Sequence, residues 1–123
     1  MNNAAPPEVQ AKLRHLCEYI LQPLRDAYDK PIIVSSGYRS EVLNRAVGGS
    51  PHSDHLFGCA ADIHTASNVP EHNRELFDLA VRMMREGRLK KVKQIIDEYH
   101  YTWIHISFQD GRSLKQNQVL HLS

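Results

Sequence analysis

The apolar positions Val9, Leu13, Leu16, Cys17, Ile20, Leu21, Leu24 and Tyr28 recur at three- and four-residue intervals. That spacing places them on one stripe of an amphipathic helix. Pro6 and Pro7 suit its first turn, and Pro23 is expected to kink it or end its regular part. Ile32, Ile33 and Val34 form a β-branched run after Pro31 and read as a short strand, punctuated by Gly37. Ser40 suits the cap of a short helix carrying Leu43 and Val47, and the run Gly48-Gly49-Ser50-Pro51 reads as a loop.

From Cys59 to His64 the pattern becomes that of a buried strand. A period of two sets Ala60, Asp62 and His64 on one face, and Ala61 and Ile63 on the other. Pro70 and Glu71 open a second long helix with Leu76, Leu79, Ala80, Met83 and Met84 on its core stripe, and Gly87 is its stop signal. Three more strands are expected, Val92 to Tyr99, Trp103 to Phe108 and Val119 to Leu122, with a turn at Asp110-Gly111. In the middle one Ile104, Ile106 and Phe108 share a face, and Trp103, His105 and Ser107 share the other. Helices come early and strands late. The expected fold is therefore α+β, a small and largely antiparallel sheet with helices packed against it.

A chain of 123 residues is expected to make a single domain over 1–123. Its formal net charge of +1 gives no electrostatic reason to expect nucleic acid or an anionic membrane surface as a partner. Cys17 and Cys59 lack the spacing of a zinc ribbon or a redox pair, and read as two small buried thiols. No charged segment followed by an apolar run opens the sequence, and no stretch approaches the ~20 apolar residues of a membrane span. A soluble protein, cytoplasmic as synthesised, is expected, and an extracellular target would require another route out.

The chemistry concentrates in two runs, SDHLFGCAAD (Ser53 to Asp62) and WIHIS (Trp103 to Ser107). They supply two histidines and a carboxylate, His55, Asp62 and His105, as candidate ligands for a divalent metal. Structural zinc sites are normally closed by four protein ligands, whereas catalytic ones keep a position for water. Three ligands therefore point to a hydrolase. Asp62 and His105 lie on strands, which hold ligands stiffly, and Gly58 permits close backbone approach at the bend before the strand. Ser53 can orient a ligand, and Trp103 can wall the pocket. His52, His64 and His100 flank these motifs and are read as non-ligands. His15, His72 and His121 are read as surface or partly buried residues.

These motifs, with SSGYRS (Ser35 to Ser40), Asn44 and Gly48-Gly49, resemble the zinc D-Ala-D-Ala carboxypeptidase family. That family includes D-Ala-D-Ala dipeptidases and phage peptidoglycan endopeptidases, and the hedgehog signalling domain is similar in fold. The resemblance implies that His55, Asp62 and His105 bind Zn2+, and that Arg39 stabilises substrate near the scissile bond. Several members carry an acid three residues before the last histidine. Here Thr102 stands there and cannot serve. The nearest acids are Asp97 and Glu98, of which Glu98 is preferred as general base. The implied activity is hydrolysis of amide bonds in peptidoglycan peptides next to D-amino acids, by a monomeric carboxypeptidase or endopeptidase such as a phage or prophage lysis enzyme acting on the cell wall once released. Arg39, Ser53 and Trp103 are the expected substrate contacts.

Two rivals remain. Two histidines and a carboxylate also describe non-haem iron oxygenases, but those place the first histidine and the carboxylate closer together on one strand. The other rival is a non-catalytic, metal-stabilised binding or phage assembly module, which would hold if neither acid reached the metal.

Overall fold

The structure, a computed structural model, describes residues 4–50 and 52–123, so Pro51 of the expected loop lies outside the described residues. In chain order the elements are α1 (Pro7–Leu16), a π-helical turn (Cys17–Leu21), α2 (Gln22–Tyr28), β1 (Ile32–Ser36), α3 (Glu41–Ala46), a 3-10 turn (Asp54–Phe57), β2 (Ala60–Thr65), α4 (Pro70–Arg85), β3 (Val92–Glu98), β4 (Trp103–Phe108) and β5 (Gln118–Leu122).

The first helix does not break at Pro23. The π turn widens the coil just before it, and the Tyr19 carbonyl, which an N–H at position 23 would have engaged, accepts instead from Lys90 N–H at 3.2 Å. The extra residue also rotates the stripe. Leu16, Ile20 and Leu24 are buried, while Cys17, expected to be buried, is exposed. Helix α4 ends as its glycine demands. Gly87, at φ 74, closes a Schellman motif in which Arg88 N–H meets the Met83 carbonyl at 2.8 Å and Gly87 N–H meets Met84 at 3.1 Å.

The sheet has the order β1-β2-β4-β3-β5. All its pairs are antiparallel except β3 with β5, which is parallel, because the chain crosses from β4 past β3 to the far edge. Helices α1, α2 and α4 cover one face. There Ala61, Ile63, Ile95, Ile104, Ile106 and Phe108 join Leu16, Ile20, Leu24, Leu76, Phe77, Ala80 and Met83 in a continuous core. Fully burying one such side chain contributes about 1.5–3 kcal/mol, so this face fixes the register of the sheet. The opposite face carries Ala60, Asp62, Trp103, His105, Gln94, Ile96 and Glu98, which is where polar chemistry has room.

Candidate metal centre and its surroundings

Asp62 of β2 and His105 of β4 are directly opposed in the antiparallel register. His105 Nδ1 lies 3.1 Å from Asp62 Oδ1. His55 arrives from the 3-10 turn, and its Nε2 stands 3.3 Å from the same oxygen. The imidazole rings of His55 and His105 meet edge-on with centroids 5.2 Å apart. His55 is 2% exposed, whereas the side chains of Asp62 and His105 keep 17% and 14% of their surface. The site is thus deep at His55 and open toward the sheet face.

The turn that delivers His55 is fixed from several directions. Ser53 caps it, its Oγ accepting from His55 N–H at 3.2 Å. The His55 carbonyl accepts from Arg39 N–H at 3.0 Å. His55 Nδ1 lies 2.7 Å from the Gly37 carbonyl, so the proton must sit on Nδ1 and the Nε2 lone pair faces the site. Beside it, the buried Asp54 carboxylate receives Lys93 Nζ at 2.7 Å and Arg112 Nη2 at 2.8 Å. Arg112 also grips Asp110 at 2.6 Å and lies over the Phe57 ring. Lys93 can reach Asp54 because the ladder slips between Val92 and Gln94, leaving residue 93 as the extra residue of a bulge. Gly58 closes the turn at φ 73, and a Cβ there would sit 2.8 Å from both Val9 Cγ1 and the Val9 carbonyl oxygen.

The donor set suits a metal ion. One ligand atom from each of His55, Asp62 and His105 lies within 4.8 Å of the others. A tetrahedral ion with bonds of about 2.0–2.1 Å has ligand atoms about 3.3 Å apart, close to the 3.3 and 3.1 Å edges at Asp62 Oδ1. Burial alone would push the Asp62 carboxyl up. Hydrogen bonds from His105 and His55 outweigh it and hold the group well below the usual carboxylate range, so it is an anion at neutral pH.

Glu98 and Trp103 are cross-strand partners of β3 and β4 on the metal-site face, and the Trp103 indole N–H donates to Glu98 Oε2. Asp97 points the other way. It is buried on the helix side, where its carboxylate is bonded to His121 Nδ1. Thr102 donates its hydroxyl to the Tyr99 carbonyl at 2.6 Å within the turn. Arg39 Nη2 approaches Ser53 Oγ at 3.5 Å, while Arg39 Nε is buried with no hydrogen-bond partner among the described residues. His64 shares the strand face of Asp62, but its Nδ1 turns to the Thr65 carbonyl at 2.7 Å. His52 and His100 are exposed, and His72 bonds Ser67 Oγ at 2.7 Å.

The Lys93, Asp54 and Arg112 network has no local sequence signal, because its members meet only through tertiary contact. Asn73 is likewise absent from the sequence-derived site. It occupies a core-facing position one turn before Leu76 and Phe77, and a polar residue at such a position is the signal that marks it.

The sequence matches the peptidase M15 family over residues 3–107. It is also similar to a zinc D-Ala-D-Ala carboxypeptidase of Streptomyces albus G, with 48% identity over 48 residues, which is 38% of this chain and 19% of that protein. The aligned stretch thus spans about a fifth of that relative's length. The family match runs from α1 into β4 and takes in His55, Asp62 and His105. On that coverage the chain belongs to the peptidase M15 family.

Proposed function

We propose that this protein is a zinc-dependent peptidase that hydrolyses amide bonds in bacterial cell-wall peptides, next to D-amino acids. The observation that carries the reading is the three-ligand centre of His55, Asp62 and His105, set on an open sheet face that also bears Glu98 and Trp103. Membership of the M15 family and the similarity to a zinc D-Ala-D-Ala carboxypeptidase support it. The metal is zinc, held by His55 Nε2, Asp62 and His105 Nδ1. When bound, zinc lowers the pKa of a water to ~7 and polarises a carbonyl.

The chain's own residues supply the rest. Glu98 is the general base, taking a proton from the attacking water and passing it to the leaving amine. Its carboxylate is oriented by the Trp103 indole, which also walls the cleft on that side. Arg39 offers its guanidinium donors to a developing oxyanion or to a substrate carboxylate. The Ser53 hydroxyl accepts from His55 N–H and Arg39, which leaves its own proton for a substrate oxygen. Action at the cell wall by a monomer, in the manner of a lysis or wall-remodelling enzyme, completes the proposal.

The test is digestion of purified peptidoglycan with zinc-loaded protein, identifying the products by mass. Cleavage at a peptide bond beside a D-amino acid is expected, lost on chelation and reduced about 10²–10⁴-fold in Glu98→Gln. A zinc-loaded, folded protein that releases nothing from whole peptidoglycan or cross-linked muropeptides would leave the binding module as the better reading.

A further inference from the structure

Three consecutive residues between β3 and β4, Tyr99, His100 and Tyr101, have φ of 51, 56 and 64°. None is glycine. L-residues visit this left-handed region singly rather than in runs, so such a turn persists only where its surroundings over-determine it. Part of the clamp is backbone hydrogen bonding. Tyr99 N–H meets the Leu122 carbonyl at 2.7 Å, and Thr102 N–H meets that of Glu98 at 3.1 Å. The rest comes from helix α4. Asn73 Nδ2 donates to the Tyr101 carbonyl at 2.8 Å and to that of Thr102 at 3.3 Å. The Phe77 ring meets the Tyr101 ring edge-on, and the Arg74 guanidinium lies over it.

Asn73 is fully buried and leaves nothing unsatisfied. Its Oδ1 accepts from Thr65 N–H at 2.9 Å and from Thr65 Oγ1 at 2.8 Å, while Nδ2 also reaches Asn68 Oδ1 at 3.0 Å. One amide thereby ties the end of β2, the strand of Asp62, to the start of β4, the strand of His105. The residues flanking the strained turn are Glu98 and Trp103, the hydrogen-bonded pair on the opposite face of the sheet.

We propose that Asn73 is a positioning residue: from the helix side it holds the left-handed turn at 99–101, and the turn sets where Glu98 and Trp103 stand beside the metal centre. Its catalytic consequence rests on the reading of Glu98 as general base. Without the Asn73 donors, the half-buried Tyr101 carbonyl loses its side-chain partner, and the turn relaxes toward ordinary backbone angles. Glu98 and Trp103 then shift relative to each other, while the ligands, held by the sheet register and the His55 turn, stay in place.

The experiment uses the full, zinc-loaded chain. Trp103 is the only tryptophan, so its emission reports on the Glu98 contact independently of catalysis. Asn73→Ala is expected to shift that emission and to lower kcat roughly 10- to 100-fold, with zinc content and KM little changed. Adding His100→Gly to Asn73→Ala should restore emission and kcat, because glycine adopts positive φ freely and the exposed His100 side chain packs against nothing essential. Asn73→Asp keeps the shape and the Thr65 bonds but turns the donor into an acceptor. It should give the same emission shift if the alanine variant does not fold. A folded Asn73→Ala or Asn73→Asp with wild-type emission, or a shift that His100→Gly does not reverse, overturns the inference. Full activity in Glu98→Gln would instead overturn the base assignment, and the emission data would still decide the role of Asn73.

Discussion

Asp62 and His105 stand opposite each other across β2 and β4, with Oδ1 and Nδ1 3.1 Å apart. Opposed residues on one face of an antiparallel pair have Cβ atoms about 4.5–5.5 Å apart, so register alone brings these two together. A slip of one residue would send His105 to the helix side. The register is secured by Ile63, Ile104 and Ile106 on the other face, all fully buried. Two of the three candidate ligands are therefore placed by the core.

It follows that the metal-free protein remains folded and that zinc adds to a stability already present. With free zinc at 100 times Kd, stability should rise by about 2.7 kcal/mol. For a domain of this size that is about 10 °C in Tm. Differential scanning calorimetry with and without chelator measures it. An apo protein with no cooperative transition would show that folding itself requires the metal.

Gly58→Ala should destabilise the protein by roughly 2–5 kcal/mol. The residue sits at φ 73, and an added Cβ would lie 2.8 Å from the backbone oxygen of Val9 on α1. An L-residue in that conformation costs roughly 1–2 kcal/mol, and overpacking adds about 1–3. Urea unfolding gives the difference directly.

Arg112→Ala should weaken zinc binding about tenfold without touching a ligand, since groups that orient ligands are typically worth 10–100-fold. The guanidinium grips Asp54, the neighbour of His55, and lies over Phe57 at the end of the same turn. Competition with a chelator of known affinity reads the change. Unaltered affinity would show that the turn holds His55 without this clamp.

Stability should fall steeply in acid. Burial pushes the Asp110 carboxyl up, but Lys12 and Arg112 outweigh it and hold the group well below the usual carboxylate range. A folded-state value below the unfolded one, about 3.9, means stabilisation that is complete above that pH and is lost as pH drops beneath it. Asp62 contributes with the same sign in the metal-free protein. Urea midpoints between pH 6 and pH 3 should decline less steeply in Asp110→Asn than in the wild type.

Much of this architecture is legible in local pattern. The period of two in WIHIS puts His105 opposite the core isoleucines, and the period of two from Cys59 to His64 does the same for Asp62. Gly87 marks the end of α4, and Ser40 caps α3 by accepting from Leu43 N–H. What escapes the pattern is set by partners distant in sequence. Pro23 predicts a kink or an end to the regular helix, and the irregularity takes the form of a π turn at Cys17–Leu21, where Lys90 supplies the lost donor and the buried stripe continues through Leu24. That same turn moves Cys17 to the surface. The parallel pairing of β5 depends on where the 109–117 connection runs. The left-handed turn at 99–101 contains no glycine to announce it, since Asn73 and Phe77 on α4 hold it in place. Asp97 and Glu98 are adjacent acids of which the sequence favours Glu98, and strand parity sends Asp97 to His121 and Glu98 to Trp103.

His55, Asp62 and His105 should hold one zinc with a position left open. X-ray absorption spectroscopy of the zinc-loaded protein tests it most directly. Cys59 is buried in the helix-side core, apart from the cluster of His55, Asp62 and His105, so no sulfur is expected on the metal. The expected spectrum is one zinc per chain with only nitrogen and oxygen neighbours at about 2.0–2.2 Å, two of them imidazoles, and a water that substrate analogues displace. A sulfur neighbour at about 2.3 Å, or an unchanged spectrum when His55 and His105 are both replaced by alanine, would contradict the account.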